Sequence, residues 1–459
     1  MQEIIRPHKF RDPVHGFIYV STSEKKIIDS LPFQRLRNIK QLALTHYIYH
    51  GAEHTRFGHS IGVMHLTSRA FRSAISKNTY TFLQGVKKNE YYTNWLEQIL
   101  RLIALTHDLG HAPFSHAGEG LFPLKSEEAG KKKYFKHEDF TESIVLNTEI
   151  ASFISEIGNA YADEYGADYN ITPQMICDIY KGTLPGENSV FTFLKTFMDS
   201  ELDCDKMDYL LRDSLFCGVS YGRYDLERLL ACLTVFTKSG EPSPFLGIEV
   251  GGVQAFEEFV LARYFMFVQV YFHRTRRYFD ILLSRALKEL LPNGEFPLEV
   301  SEYLEWDDIK VFSLFKNAVE SNEKANQIVN RKSINCVYST KTHPDGDGLA
   351  LFGTIERVLK REIGGNNNYR KHFITDTSAD KMPHKIVPRK HSIDDEEVIA
   401  IIHKDKRLST ISDESHIINN LTEKINIQRI YANDDHYQEA KIKVDELLLD
   451  DIEEEENNE

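Results

Sequence analysis

The segment Leu105-Thr106-His107-Asp108-Leu109-Gly110-His111-Ala112-Pro113-Phe114-Ser115-His116 packs three histidines and a carboxylate together. Imidazole and carboxylate form a mixed N/O donor set, suited to a divalent transition ion with positions left open for water. A single His-Asp pair is an ordinary surface feature, because metal ligands come in clusters. Partners must therefore come from elsewhere, and His59 and Asp205 supply them.

Each of these residues sits on a strongly patterned stretch. Leu96, Ile99, Leu100 and Ile103 recur at helical spacing, and Gly110 with Pro113 ends that helix, so His107 and Asp108 fall at its last turn. Ile61, Val63, Met64, Leu66 and Phe71 place His59 near the start of another helix. Leu202, Met207, Leu210 and Leu211 give the Asp205 segment a buried face, with Asp205 and Asp208 about one turn apart. Such helices can converge in one bundle. Lys25 to Leu42 also reads as helical, and Phe256 to Leu291 reads as one long helix with a basic aromatic stripe. Lys9 to Val20 reads as an extended entry, and the charged run Lys125 to Lys136 reads as a mobile loop.

The pattern His59, His107-Asp108, Asp205 resembles the HD phosphohydrolase superfamily, and more closely its deoxynucleoside triphosphate triphosphohydrolase branch. The similarity is carried by Asp12-Pro13-Val14-His15-Gly16, Phe33-Gln34-Arg35-Leu36-Arg37, Arg56-Phe57-Gly58-His59-Ser60, the His107 to His116 segment and Asp205-Lys206-Met207-Asp208-Tyr209. It covers Phe10 to about Leu291, and no sterile-α domain is read ahead of it.

The resemblance implies metal-dependent hydrolysis of a dNTP to deoxynucleoside and inorganic triphosphate. It implies one divalent ion per site (Mn, Fe, Mg or Zn) on His59, His107, Asp108 and Asp205, with additional Mg accompanying the nucleotide. His116 matches the catalytic histidine, Glu119 stands where the family carries Asp, His137 is a further active-site histidine, and His111 lies at the α-phosphate. Arg56, Lys206 and Arg263 match phosphate-gripping cations. Gln41, Leu42, Tyr209, Asp213 and Tyr271 match the sugar pocket. Phe267 and Phe272 replace a family histidine and glutamine near the base. Asp29, Gln34 and Arg37 match an activator site for GTP or a dNTP, which implies a homo-oligomer, dimer or tetramer. The alternatives are another HD-type phosphodiesterase or nucleotidase, and a catalytically silent nucleotide-sensing regulator.

Composition sets the frame. The chain has 459 residues, is 41% hydrophobic, and carries 55 Lys and Arg against 69 Asp and Glu, for a net charge of -14. That balance argues against coating a nucleic acid, while a local cationic pocket can still focus an anion. Five cysteines without a C-x-x-C point to a reducing, cytoplasmic setting. No apolar run approaches the roughly 18 residues that span a bilayer. The expected architecture is mainly α: an HD helical core over residues 1–295, a C-terminal α+β lobe over 296–444, and a disordered acidic tail over 445–459.

Overall fold

The computed structural model describes residues 6–77, 90–128, 130–184, 189–237, 244–363, 369, 372–381, 399–421 and 423–458. The architecture is mainly helical, with small sheets and a C-terminal α+β lobe.

Two helices and the turn that ends a third carry the metal-type residues: His107 and Asp108, expected on the last helical turn, stand just past Thr106. Arg56–Lys77 turns Val63, Met64, Leu66, Ala70 and Phe71 into the core and packs along Glu90–Thr106. Cys204–Cys217 packs on the first of them. The Asp203 side chain caps it by accepting from the Lys206 amide at 2.7 Å, and Gly218 ends it in the left-handed region at φ 70°. Gly62 is required where two of these helices cross. A Cβ there would lie 2.2 Å from Asp208 Oδ1.

Strands β1 (His8–Asp12) and β2 (Gly16–Val20) pair antiparallel as the expected extended entry. The expected Lys25–Leu42 helix is broken. Thr22–Asp29 ends at Ser30, and Pro32 opens a short helix, Leu31–Gln34, that tightens into the turn Arg35–Asn38. The run expected as a mobile loop contains a hairpin, β3 (Leu124–Glu128) and β4 (Lys131–Tyr134). Glu127 faces Lys132 and Glu128 faces Lys131, so its charge is paired across strands.

The expected long Phe256–Leu291 helix is three pieces. Val253–Met266 passes into a π-helical turn, Phe267–Tyr271, and a new helix runs from Arg274 to Leu290. The His273 ring accepts from the Thr275 amide and starts the last one. A π-turn of this kind widens the backbone, often beside a functional site.

A four-stranded sheet joins distant parts of the chain. Strands β5 (Leu233–Thr237) and β6 (Pro244–Glu249) pair with each other, and β6 runs parallel to β9 (Ala400–Ile402), which pairs with β10 (Leu408–Thr410). In the C-terminal lobe, β11 (Ile425–Ala432) lies between β7 (Asn335–Ser339) and β8 (Phe373–Lys381). Alternation splits β11 by face. Ile425, Ile427 and Tyr431 join the main core, whereas Ile430 and Ala432 join a smaller cluster with Ile355, Leu359 and Val444.

The main core runs past residue 295, because Phe296, Tyr303, Val311 and Phe315 belong to it. The acidic end expected to be disordered is helical here. Asp434–Asn458 is one helix, rich in Glu, whose Val444 is buried and whose Leu447 and Leu448 pack on the smaller core. Among the described residues no helix is long and apolar enough to cross a membrane.

Candidate functional site

The three helices bring the expected ligand set together. Donor atoms of His59, His107 and Asp108 lie within 4.8 Å of one another. Asp205 Oδ1 closes the group, 2.8 Å from His59 Nε2 and 3.8 Å from His107 Nε2. His59 is fully buried, while the Asp205 side chain is 36% exposed and marks the open side.

Both imidazoles are oriented from behind. His59 Nδ1 donates to Asp208 at 2.8 Å, and His107 Nδ1 donates to the Ala104 carbonyl at 2.7 Å. With Nδ1 so engaged, each ring presents Nε2 to the shared space, which is how metal-binding histidines are held. Both Nε2 atoms are buried, and Asp205 Oδ1 lies 2.8 Å from that of His59. The site calls for positive charge. Burial works against protonation, but hydrogen bonding to Asp205 and Asp208 lifts the His59 imidazole to about 10. The residues therefore fit a divalent cation.

The layer behind the ligands leaves little trace in the local sequence pattern. Asp208 accepts from His15 at 2.6 Å and from Arg212 at 2.8 and 3.0 Å, and Arg212 also donates to Asp12 at 2.9 Å. Burial opposes ionisation of Asp208, yet the Arg212 guanidinium holds it well below the usual carboxylate range. This assigns a place to the Asp12-Pro13-Val14-His15-Gly16 motif, since Asp12 and His15 brace the carboxylate that braces His59. The i,i+4 spacing of Asp208 and Arg212 was the available signal.

A second group adjoins the first. Nδ1 of His111, His116 and His137 each lies 3.0 Å from one oxygen, Glu119 Oε1. His111 also faces Asp108 through Nε2 at 3.1 Å, and its ring stacks on His137 with centroids 4.0 Å apart. His116 is the exposed member, with 67% of its side chain accessible. The segment is shaped by two successive left-handed residues, Phe114 at φ 59° and Ser115 at φ 55°. Non-glycine residues hold that conformation when the surroundings over-determine it. Here the Phe114 amide donates to Asp308 at 2.6 Å, and the Ser115 hydroxyl donates to the Lys40 carbonyl at 2.7 Å while accepting from Arg56 Nε at 2.9 Å.

Both groups open into one cavity of about 1070 Å³. Every residue expected to bind substrate lines it: Gln41, Leu42, Arg56, Lys206, Tyr209, Asp213, Arg263 and Tyr271. Phe267 and Phe272 are in the same wall. Arg56 pairs with Asp108 at 2.7 Å, Arg263 with Glu201 at 3.1 Å, and Lys206 with Asp203. Tyr271 donates its hydroxyl to Asp213 at 2.8 Å, and His54, which sequence reasoning missed, donates to the same carboxylate at 2.7 Å. Gln41 Oε1 is buried without a partner.

The three expected activator residues do not all meet. Arg37 donates to Gln34 at 2.8 Å and lies 3.5 Å from the centroid of the Phe57 ring. Asp29 instead pairs with Lys25 on its own helix.

The chain is similar to several known proteins. The family model for the HD associated region matches residues 224–458. YwfO from Bacillus subtilis (strain 168) is 28% identical over 473 residues, spanning 96% of each chain. The deoxynucleoside triphosphate triphosphohydrolase SAMHD1 homolog of Dictyostelium discoideum is 30% identical over 295 residues, 64% of this chain. The chain spans about half, 51%, of that relative. A crystal structure of a protein from Aquifex aeolicus superposes with a TM-score of 0.73 at 29% identity, covering 95% of this chain and 99% of that one.

Proposed function

The chain belongs to the HD associated region family, within the HD phosphohydrolase superfamily, and from that premise we propose that it hydrolyses deoxynucleoside triphosphates to deoxynucleoside and inorganic triphosphate. The observation that carries the reading is the cluster of His59, His107, Asp108 and Asp205 beside a cavity whose wall holds His107, Asp108 and Asp205 together with Arg56, Lys206 and Arg263. His59, His107, Asp108 and Asp205 would hold the divalent ion, which when bound supplies Lewis-acid polarisation of a phosphoryl oxygen and acidifies water.

The chain's own residues do the rest. Arg56, Lys206 and Arg263 receive the triphosphate, where fixed cations stabilise charge as it develops in the transition state. Water adds to the α-phosphorus and the bond to the 5′ oxygen breaks. His116 gives its Nε2 proton to that oxygen, which leaves as the deoxynucleoside hydroxyl. Glu119, 3.0 Å from His116 Nδ1, orients the ring. His137 and His111 support Glu119 from the other side. Asp213 and Gln41 offer acceptors to a 3′ hydroxyl, with Tyr271 and Leu42 crowding the 2′ position, so deoxyribose is preferred. Gln34 and Arg37 form a donor and acceptor pair for an activating nucleotide, coupled to assembly of a homo-oligomer. Arg37→Ala should then abolish any stimulation by GTP while sparing metal content, and stimulation equal to wild type would reject that site.

A second reading is favoured by one observation. The donor atoms of His111, His116, Glu119 and His137 also lie within 4.8 Å of one another. Two ions would make the chain an HD phosphodiesterase or nucleotidase. Incubation with each dNTP and Mn²⁺, followed by product identification, separates the readings. Inorganic triphosphate with deoxynucleoside supports the first; pyrophosphate, monophosphate or no turnover rejects it.

A further inference from the structure

The cations lining the cavity are of two kinds. Arg56, Lys206 and Arg263 each pair with a carboxylate, and so do Lys125 and Lys181 farther round the wall. Lys133 and Lys136 line the same cavity and have no acidic partner among the described residues.

The fold explains how they are left uncompensated. In the β3–β4 hairpin, Lys131 and Lys132 face Glu128 and Glu127, whereas Lys133 faces Ser126. Lys136 is the cap residue before the helix His137–Asn147. A cation there adds to the positive end of the helix dipole instead of offsetting it, so its position works against local stability. Both lysines are exposed, and Tyr134 between them is 50% exposed.

The whole chain carries a net charge of -14, which repels a polyanion at long range. Positive charge that no neighbour neutralises, placed on the cavity wall, reverses that field locally and raises the arrival rate of anions. We propose that Lys133 and Lys136 form an electrostatic entry for polyphosphate anions, setting how fast the anion arrives and not how fast it reacts. As a statement about turnover this rests on the triphosphohydrolase reading; as a statement about binding it does not.

The test compares the full-length chain with the double variant Lys133→Gln/Lys136→Gln, from low to high ionic strength. Two quantities are followed: dNTP turnover with Mn²⁺, and the association rate of inorganic tripolyphosphate. At low salt, kcat/KM and the association rate should both fall about tenfold, and their dependence on salt should flatten. The turnover number kcat and metal content should match wild type, and Lys133→Arg/Lys136→Arg should restore wild-type behaviour. A fall in kcat or metal content, wild-type salt slopes in the Gln variant, or failure of the Arg variant to restore the rates would overturn the proposal. If the wild-type chain turns over no dNTP, the substrate reading fails by itself, and the tripolyphosphate rates still decide the role of the hairpin.

Discussion

Two histidine clusters meet at Asp108 and His111, and they are wired in opposite ways. In the first, His59 and His107 are tied at Nδ1 to acceptors behind them, so two Nε2 atoms point at one space. In the second, three Nδ1 atoms converge on a single carboxylate oxygen of Glu119. The first arrangement gathers two Nε2 atoms and two carboxylates around one point and asks for a cation. The second surrounds an anion with nitrogens, and burial with the Arg56 guanidinium pushes His111 down to about 3. Burial opposes a charged His137, but its hydrogen bond to Glu119 raises its pKa. In the proposed reading the same residue types make a metal centre in one place and a proton-handling centre in the other, decided by what stands behind each ring.

The sharpest way to break this contrast is to remove one cluster at a time. Asp108→Ala takes a ligand from the first and leaves the buried Arg56 guanidinium without its carboxylate, so turnover should drop to background; triphosphate release at the wild-type rate would dissolve the distinction. His116→Ala touches only the second. It should lower kcat by about 10²–10⁴ with metal retained, and an unchanged kcat would show that the exposed imidazole handles no proton.

A finer test leaves both clusters intact and alters the layer behind them. Asp208→Asn keeps the shape but weakens the acceptor of His59 Nδ1. Metal affinity should fall about 10–100-fold, read by competitive metal titration, with a smaller effect on kcat at saturating metal. Equal affinity would mean that the Asp12, His15, Asp208 and Arg212 network only supports the fold.

The smallest expected effect concerns Asp308, which accepts from the Lys40 and Phe114 amides and so holds the strained turn before His116. Burial pushes its carboxyl up to about 7, against about 3.9 when exposed. The folded chain therefore binds this proton more tightly than the unfolded chain. Its contribution to stability declines as pH rises from about 4 to about 7 and is level above that. In Asp308→Asn that titration is gone, so Tm should depend less on pH across this window. Parallel Tm curves for variant and wild type would contradict the assignment.

Much of this was legible in the sequence, for a physical reason. The segments bearing His59, His107-Asp108 and Asp205 are long amphipathic helices, and helical periodicity is a local property. Their flanking residues carried the superfamily resemblance as well. What was not legible is non-local. Asp12 and Arg212 stand 200 residues apart, and no periodicity says that they meet. The break at Phe267–Tyr271 was hidden because apolar and aromatic residues continue through it, while Arg276 secures it from the next helix by donating to the Tyr271 carbonyl at 2.5 Å. The hairpin at Leu124–Tyr134 reads as a loop by charge alone; its Glu and Lys residues become intelligible only in register.

The account stands on the first cluster holding one divalent ion and the second holding none. Elemental analysis of protein purified without chelator, then reloaded with Mn²⁺ and desalted, decides it. The expected result is one equivalent per chain in the wild type and in His116→Ala, and none in Asp108→Ala. Two equivalents in the wild type, with one lost in His116→Ala, or a full equivalent retained by Asp108→Ala, would contradict it.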